Sequence, residues 1–231
     1  MTTTRPPSGV LDRGLLLLSQ FSMERKKLQL KELADLSGLD KATASRLLKV
    51  LVTWGYLARN PDGSYAPGPA NLRLASIFRA TSNTIARIEG PIARISEAVG
   101  QTTAFFVRSG GERICLARDH AYQDFRYFIE VGGSVSLEEG GAAAELLRAF
   151  TGDEGEQHDR TRAQGYYISR GERNRHFASI ALPVFESDGQ FLGALAITGL
   201  GADLDNECLL GFREVSGGEL QMAGFQMKGV T

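Results

Sequence analysis

The chain has 231 residues, 42% of them hydrophobic, with a formal net charge of −1 and two cysteines. That is enough for one large domain or two small ones with real cores. No apolar run approaches the ~18 residues a membrane-crossing helix needs, and Cys115 and Cys208 show no metal or redox spacing. A reduced, cytoplasmic protein without a membrane partner, a metal or a cofactor is expected.

The near-zero total conceals two unequal parts. Residues 1–80 carry twelve Lys/Arg against six Asp/Glu, whereas the remainder carries fourteen against twenty-one. A basic segment joined to an acidic one suits a polyanion-binding domain attached to something that stays off the polyanion.

Residues 1–9 lack the long apolar region of a secretory signal and read as a disordered tail. The segment 10–68 reads as a first domain. Val10, Leu11, Leu15, Leu18 and Phe21 recur with helical spacing, predicting a helix from Val10 to Phe21. A second helix, Leu30 to Leu36, stops at Ser37-Gly38, because glycine accepts the left-handed conformation that ends a helix. Asp40 then offers a side-chain cap to a third helix running to about Trp54. In it Ala44, Leu47, Leu48 and Leu51 face inward, while Ala42, Arg46 and Lys49 point the opposite way, flanked by Thr43 and Ser45. Small Ala34 lets the second and third helices approach. The outer face presents short polar groups and two cations, as a helix entering the major groove does. Arg46 suits either a guanine edge or a phosphate, and Lys49 a phosphate. Gly55 to Arg59 and Ser64 to Ala66, joined by Asn60-Pro61-Asp62-Gly63, predict a two-stranded wing with Arg59 near its tip. A helical bundle with a decorative hairpin is the bland alternative, and the surplus of positive charge favours nucleic acid.

Residues 69–87 have the pattern of a linking helix, and 88–231 read as a second domain. Its first helix carries Ile88, Ile92, Ile95 and Val99 on one stripe. Thr102 to Arg108 and Glu112 to Arg118 form a hairpin around Ser109-Gly110-Gly111. A strand from Phe125 to Val131, a helix from Gly141 to Phe150, a second hairpin (Ser179–Phe185 and Phe191–Thr198) and a last helix from about Asp203 complete it. Gly217-Gly218 weakens that last helix. Hairpins mixed with helices predict an antiparallel α+β domain.

With these stretches in place, the chain resembles the isocitrate lyase regulator (IclR) family of bacterial transcription factors. The resemblance rests on VLDRGLLLLSQF, LKELADLSGLDKATASRLLKVLVTWGYL, the wing RNPDGSYAPGP, VGGSVSLEEGGAAAELLRAF and RAQGYYISRGERNRHFASIALPVFESDGQFLGALAITG. It implies an α+β chain with a winged helix-turn-helix and a GAF-like sensor domain. It also implies a homodimer or dimer of dimers on a palindromic double-stranded operator, as repressor or activator, under control of a small organic effector. It places Lys41, Thr43, Ser45 and Arg46 on the recognition surface and gives Arg13 a part in DNA or dimer contacts. The pocket it implies is lined by Ser169, Phe177, Ser179, Ala196 and Thr198, with the backbone amides of Ala142 and Ala143. Ser169, Ser179 and Ala196 depart from the Asp, Cys and Ser usual in the family's small-oxoacid sensors. A less polar pocket and an effector of aromatic or acyl character are therefore expected. These residues equally suit plain sheet filling, and Arg118, Arg126 and Tyr127 suit either an anionic effector or solvent. Between Phe150 and Gly165 the chain looks short, as though a helix were trimmed.

An enzyme is not expected. A Cys/His nucleophile needs Cys115 beside His120 or His176, but Cys115 sits in an apolar run and reads as a small buried hydrophobe. His120, His158 and His176 lack ligand spacing, Glu138 and Glu139 are adjacent and so face apart, and no phosphate-loop motif occurs. The competing functional reading is a DNA-binding adaptor whose second domain binds protein instead of a small molecule.

Overall fold

The computed structural model describes residues 9–119 and 129–227, in two compact units divided between Thr81 and Ser82. Most of the expected tail, residues 125–128 of the strand expected from Phe125 to Val131, and the residues His120, Arg126 and Tyr127 lie outside the described residues. Residues 129–131 of that expected strand are described and form no strand, leading instead into the turn at Gly132.

The first unit packs α1 (Val10–Leu18), α2 (Leu30–Ser37) and α3 (Lys41–Thr53) with β1 (Leu57–Arg59) and β2 (Tyr65–Pro67), followed by α4 (Pro69–Thr81). Gly38 ends α2 at φ 67°, and Asp40 caps α3 by accepting the Thr43 N–H at 2.9 Å. The core is Leu17, Leu28, Leu33, Ala34, Leu39, Ala44, Leu48, Leu57 and Tyr65. Leu47 and Leu51, expected inward, are half-buried against it. Two expectations need correction. The first helix stops at Leu18, three residues short of Phe21. Its core anchor is Leu17, whereas Val10, Leu11 and Leu15 stand exposed. The wing has a third partner, since Leu28 and Tyr65 exchange backbone hydrogen bonds of 3.0 and 2.8 Å.

The second unit is a six-stranded antiparallel sheet in the order β5-β4-β3-β8-β7-β6. The strands are β3 (Thr102–Ser109), β4 (Glu112–Asp119), β5 (Ser134–Ser136), β6 (Tyr167–Arg170), β7 (Phe177–Phe185) and β8 (Phe191–Leu200). On one face α5 (Asn83–Val99) and α8 (Asn206–Met222) cover Phe105, Ile180, Leu182, Leu195 and Ile197. On the other face α6 (Ala142–Phe150) packs its Ala144, Leu146 and Leu147 on Ala104, Phe106, Cys115, Ala181 and Ala194, and α7 (Glu156–Gln164) packs on α6.

Four differences from the sequence reading have local causes. Ser82, whose hydroxyl accepts the Ile85 N–H, breaks the linking helix five residues early, so 83–87 belong to α5. The helix judged trimmed is α7; its buried residues are His158 and Thr161, which bond Glu145 of α6 at 2.8 and 3.1 Å. Strands β5 and β6, of three and four residues, are too short to register as alternating runs. Finally α8 runs unbroken through Gly217-Gly218, because Leu209, Phe212, Ser216 and Leu220 keep one face buried.

Candidate functional sites

On the first unit, α3 divides its faces as the apolar spacing requires. Ala44 and Leu48 are buried, while Lys41, Ala42, Arg46 and Lys49 are exposed, with Thr43 and Ser45 half-buried between them. The capping hydrogen bonds from Thr43 hold the Asp40 carboxyl below its ordinary value. The ionised cap fixes the start of the helix, where its charge complements the helix dipole. Arg46 makes one side-chain hydrogen bond, to Thr43 Oγ1 at 3.4 Å, so its guanidinium keeps most of its donors for an external partner. In the wing, Asp62 accepts from the Ser64 N–H and hydroxyl at 2.9 and 2.6 Å, and Asn60 Nδ2 donates to the same hydroxyl at 2.9 Å. This fixes the tip beside exposed Arg59, whose guanidinium lies 6.0 Å from the Tyr65 ring. Arg13 is half-buried on α1.

The sequence reading missed that apolar residues on two helices of the same unit are exposed. Val10, Leu11 and Leu15 of α1 and Leu72, Leu74, Ile77 and Phe78 of α4 are all about half-exposed or more. Periodicity reports only that a stripe exists, and cannot say whether its cover comes from the same chain.

On the second unit a cavity of about 100 Å³ opens between the sheet and the start of α6. The structure places all seven residues named from the resemblance around it: Ala142 and Ala143 of α6, Ser169 of β6, Phe177 and Ser179 of β7, and Ala196 and Thr198 of β8. The register orders its floor. Ser169 pairs with Ser179, Ser179 with Thr198, and Thr198 with Thr102, which makes a row of four hydroxyls across four adjacent strands. Two residues along, Ala181, Ala196 and Ala104 pair in turn, and Arg118 lies opposite Ala104. Small side chains in this second row leave the space that larger ones would fill.

The cavity is more charged than its departures from the family pattern suggest. Arg113, Arg118, Glu172, Arg173 and Asn174 also line it. Of these only Arg118 stood out in the sequence, and for Arg113 the reason is a β-bulge. Phe105 pairs with Ala117 but Phe106 pairs with Cys115, which leaves Leu116 as an extra residue. Five positions apart on a regular strand, Arg113 and Arg118 would face opposite sides; one inserted residue returns both to the α6 side.

The charged groups differ in how they are matched. Arg118 pairs with Glu130 at 3.1 Å and Arg173 with Glu139 at 3.2 Å. Glu172 accepts the Gly141 N–H at 3.0 Å and the Tyr167 hydroxyl at 2.9 Å, so the chain's own carboxylate occupies the first amide of the α6 N-terminus. Burial, together with Glu172, pushes the Tyr167 hydroxyl up to about 12. Arg113 is 3% exposed and donates at 2.9 Å to the Gly140 carbonyl. Burial and then the Arg173 charge pull it down to about 10, which leaves it charged at neutral pH.

Among the described residues, neither cysteine pairs with a histidine. Cys115 is fully buried, and burial pushes its thiol up to about 12. His176 is exposed and accepts from Arg175, while His158 pairs with Glu145. Among the described residues no group of three metal-ligating side chains occurs, and no helix is long and apolar enough to cross a membrane.

Residues 10–61 match the family profile of the IclR helix-turn-helix domain. Over 94% of both chains, the sequence is 24% identical to the HTH-type transcriptional regulator XynR of Escherichia coli (strain K12). Among solved structures, a putative IclR transcriptional regulator from a Silicibacter species superposes with a TM-score of 0.79 at 23% identity, covering 94% of this chain and 93% of that one. An IclR homolog from Microbacterium hydrocarbonoxydans, complexed with 4-hydroxybenzoate, superposes with a TM-score of 0.70 at 18% identity, covering 93% and 98%. XynR and the Silicibacter protein carry the description of transcriptional regulators, and the two solved structures share the fold of this chain.

Proposed function

Because residues 10–61 match the IclR helix-turn-helix profile and the whole chain is similar to a curated transcriptional regulator, we propose that a small organic effector in the second-unit cavity controls its binding to double-stranded operator DNA. The observation that carries this reading is the cavity itself. Residues from α6, β6, β7 and β8, distant in sequence, converge on one opening with a hydroxyl row and an alanine row. A domain that only bound protein would have no need of such an opening, so the adaptor reading is the weaker one. The neighbour complexed with 4-hydroxybenzoate supplies a precedent for a small acid in this fold, and the apolar Ala104, Phe106 and Ala196 suit an aromatic or acyl body.

In this reading Arg46 and its neighbours Lys41, Ala42, Thr43 and Ser45 enter the major groove, while Lys49 and Arg59 hold phosphates. The exposed apolar residues of α1 and α4 pack on a second copy, with Arg13 at the edge of that contact, so that two recognition helices meet a palindromic operator. The test is a fluorescence titration of the full-length protein with duplex DNA from upstream of its own gene, repeated with organic acids present. Affinity should fall steeply with salt as phosphate contacts release counterions, and at least one acid should change it. A protein that ignores this DNA in dilute buffer refutes the DNA reading. One that binds it indifferently to every compound refutes effector control.

A further inference from the structure

The cavity holds two polar groups that the fold itself leaves incompletely matched. Thr102, at the β3 end of the hydroxyl row, is 3% exposed, and among the described residues its Oγ1 has no hydrogen-bond partner. A buried hydroxyl without a partner is costly and uncommon, and calls for an occupant that supplies one. Arg113 is the second. Among the described residues, no carboxylate lies within ion-pair distance of its guanidinium, which bonds only the Gly140 carbonyl. Burial and the neighbouring Arg173 charge disfavour this cation and Glu139 offsets only part of that, so with four donors to spare it favours an incoming counter-charge. The bulge at Leu116 is what turns Arg113 to the cavity side.

The two groups stand well apart. Arg113 pairs with Arg108, six residues along β3 from Thr102, which is about 20 Å of strand, part of it covered by the arginine side chain itself. Between them lie Ala104 and Phe106. Glu172 already holds the Gly141 amide, and Arg118 and Arg173 already pair with carboxylates. Among the cationic side chains described in the cavity lining it is therefore Arg113, beside the Ala142 and Ala143 amides, that an incoming anion can neutralise.

Resting on the effector reading above, we propose that the cavity takes an extended organic acid whose carboxylate is held by Arg113 and whose far end carries a hydroxyl bonded to Thr102. The ends are polar and the middle apolar, in the order the cavity presents them. Oxoacids of two or three carbons reach one end only and are excluded as effectors.

The full-length protein tests this by thermal shift and calorimetry with named probes. These are 6-hydroxyhexanoate and 3-(4-hydroxyphenyl)propionate, the primary amide of each, hexanoate, and pyruvate. The hydroxy acids should bind, the amides should bind at least tenfold more weakly, and pyruvate should not bind. Arg113→Met should keep or raise the melting temperature without ligand, yet lose acid binding at least tenfold; Arg113→Lys, which keeps the charge, should recover part of it. Thr102→Val should weaken the hydroxy acids several-fold and leave hexanoate unaffected. Equal binding of acids and amides, or undiminished acid binding by Arg113→Met, overturns the proposal and leaves effector control standing. Failure of every probe, in a preparation that still binds its operator, overturns both.

Discussion

Arg46→Ala separates recognition from folding, because the structure gives this side chain almost nothing to do inside the protein. Arg46 is exposed on α3, and its one side-chain hydrogen bond is to Thr43 Oγ1 at 3.4 Å, long for such a contact. Removing it should change stability by no more than about 0.5 kcal/mol, the range for surface positions without special roles. Ala44 and Leu48, which anchor the helix, are untouched. If the guanidinium reads a base, operator binding should weaken by about 1–3 kcal/mol, or roughly 5- to 150-fold in Kd. Lys49→Ala should behave differently. A lost phosphate contact lowers affinity for all duplexes alike and reduces the slope of log K against log salt by about 0.9. The assay is fluorescence anisotropy on the upstream duplex and on an unrelated duplex, from about 50 to about 200 mM salt, with melting curves as the folding control. An Arg46→Ala protein that melts and binds like the wild type refutes the recognition-helix assignment. Equal losses on both duplexes would move Arg46 from base reading to phosphate contact.

Other positions yield sharper tests of the second unit. Ala196→Leu puts a branched side chain into the alanine row beneath α6; it should abolish effector-dependent changes in operator affinity and cost about 1–3 kcal/mol by overpacking, measured by titration and urea denaturation. Of the two thiols, exposed Cys208 should react with Ellman's reagent in the native protein, and buried Cys115 only after denaturation. Rapid native reaction of both would contradict the burial that raises the Cys115 thiol. Arg87 hydrogen-bonds both Glu186 oxygens, at 3.0 and 2.7 Å, and together with the Ser187 N–H holds that carboxyl below its ordinary 4.5. Its contribution is therefore present above the unfolded value and lost as pH falls through the lower folded one. Glu186→Gln should accordingly be less stable than wild type at neutral pH, with the gap closing in urea titrations below about pH 4.

What could be read from the chain depended on whether the physics was local. Gly38, Asp40 and the leucine spacing of α3 act within a few residues, so the turn, the cap and the two faces all emerged from the string. The second unit's hairpins emerged for the same reason, through Gly110-Gly111 and Asp188-Gly189. α7 stayed hidden because EQHDRTRAQ has no aliphatic stripe; it docks through a hydrogen-bonded His158 and Thr161, and hydrophobic periodicity is blind to that kind of contact. The exposed residues of α1 misled for the opposite reason, since an apolar stripe looks the same whether its own chain covers it or not.

The candidate effector site divides along the same line. Thr102, Ala104 and Ala181 join their rows only through the strand register, whereas Ser169, Ser179, Ala196 and Thr198 could be placed by resemblance, position by position. Arg113 could not, because its direction depends on a single extra residue at Leu116 that changes the parity of the strand. In a regular strand the same arginine would face α5 and α8, where the buried side chains are Phe105, Ile180, Leu195 and other apolar groups. A cation on that face would cost the fold stability with no prospect of a counter-ion. The bulge converts a buried charge that the core could not tolerate into one that lines a cavity open to small solutes. A charge placed where a solute can neutralise it favours binding; for that binding to control DNA affinity, as proposed, the solute must also bind two states of the protein with different affinities.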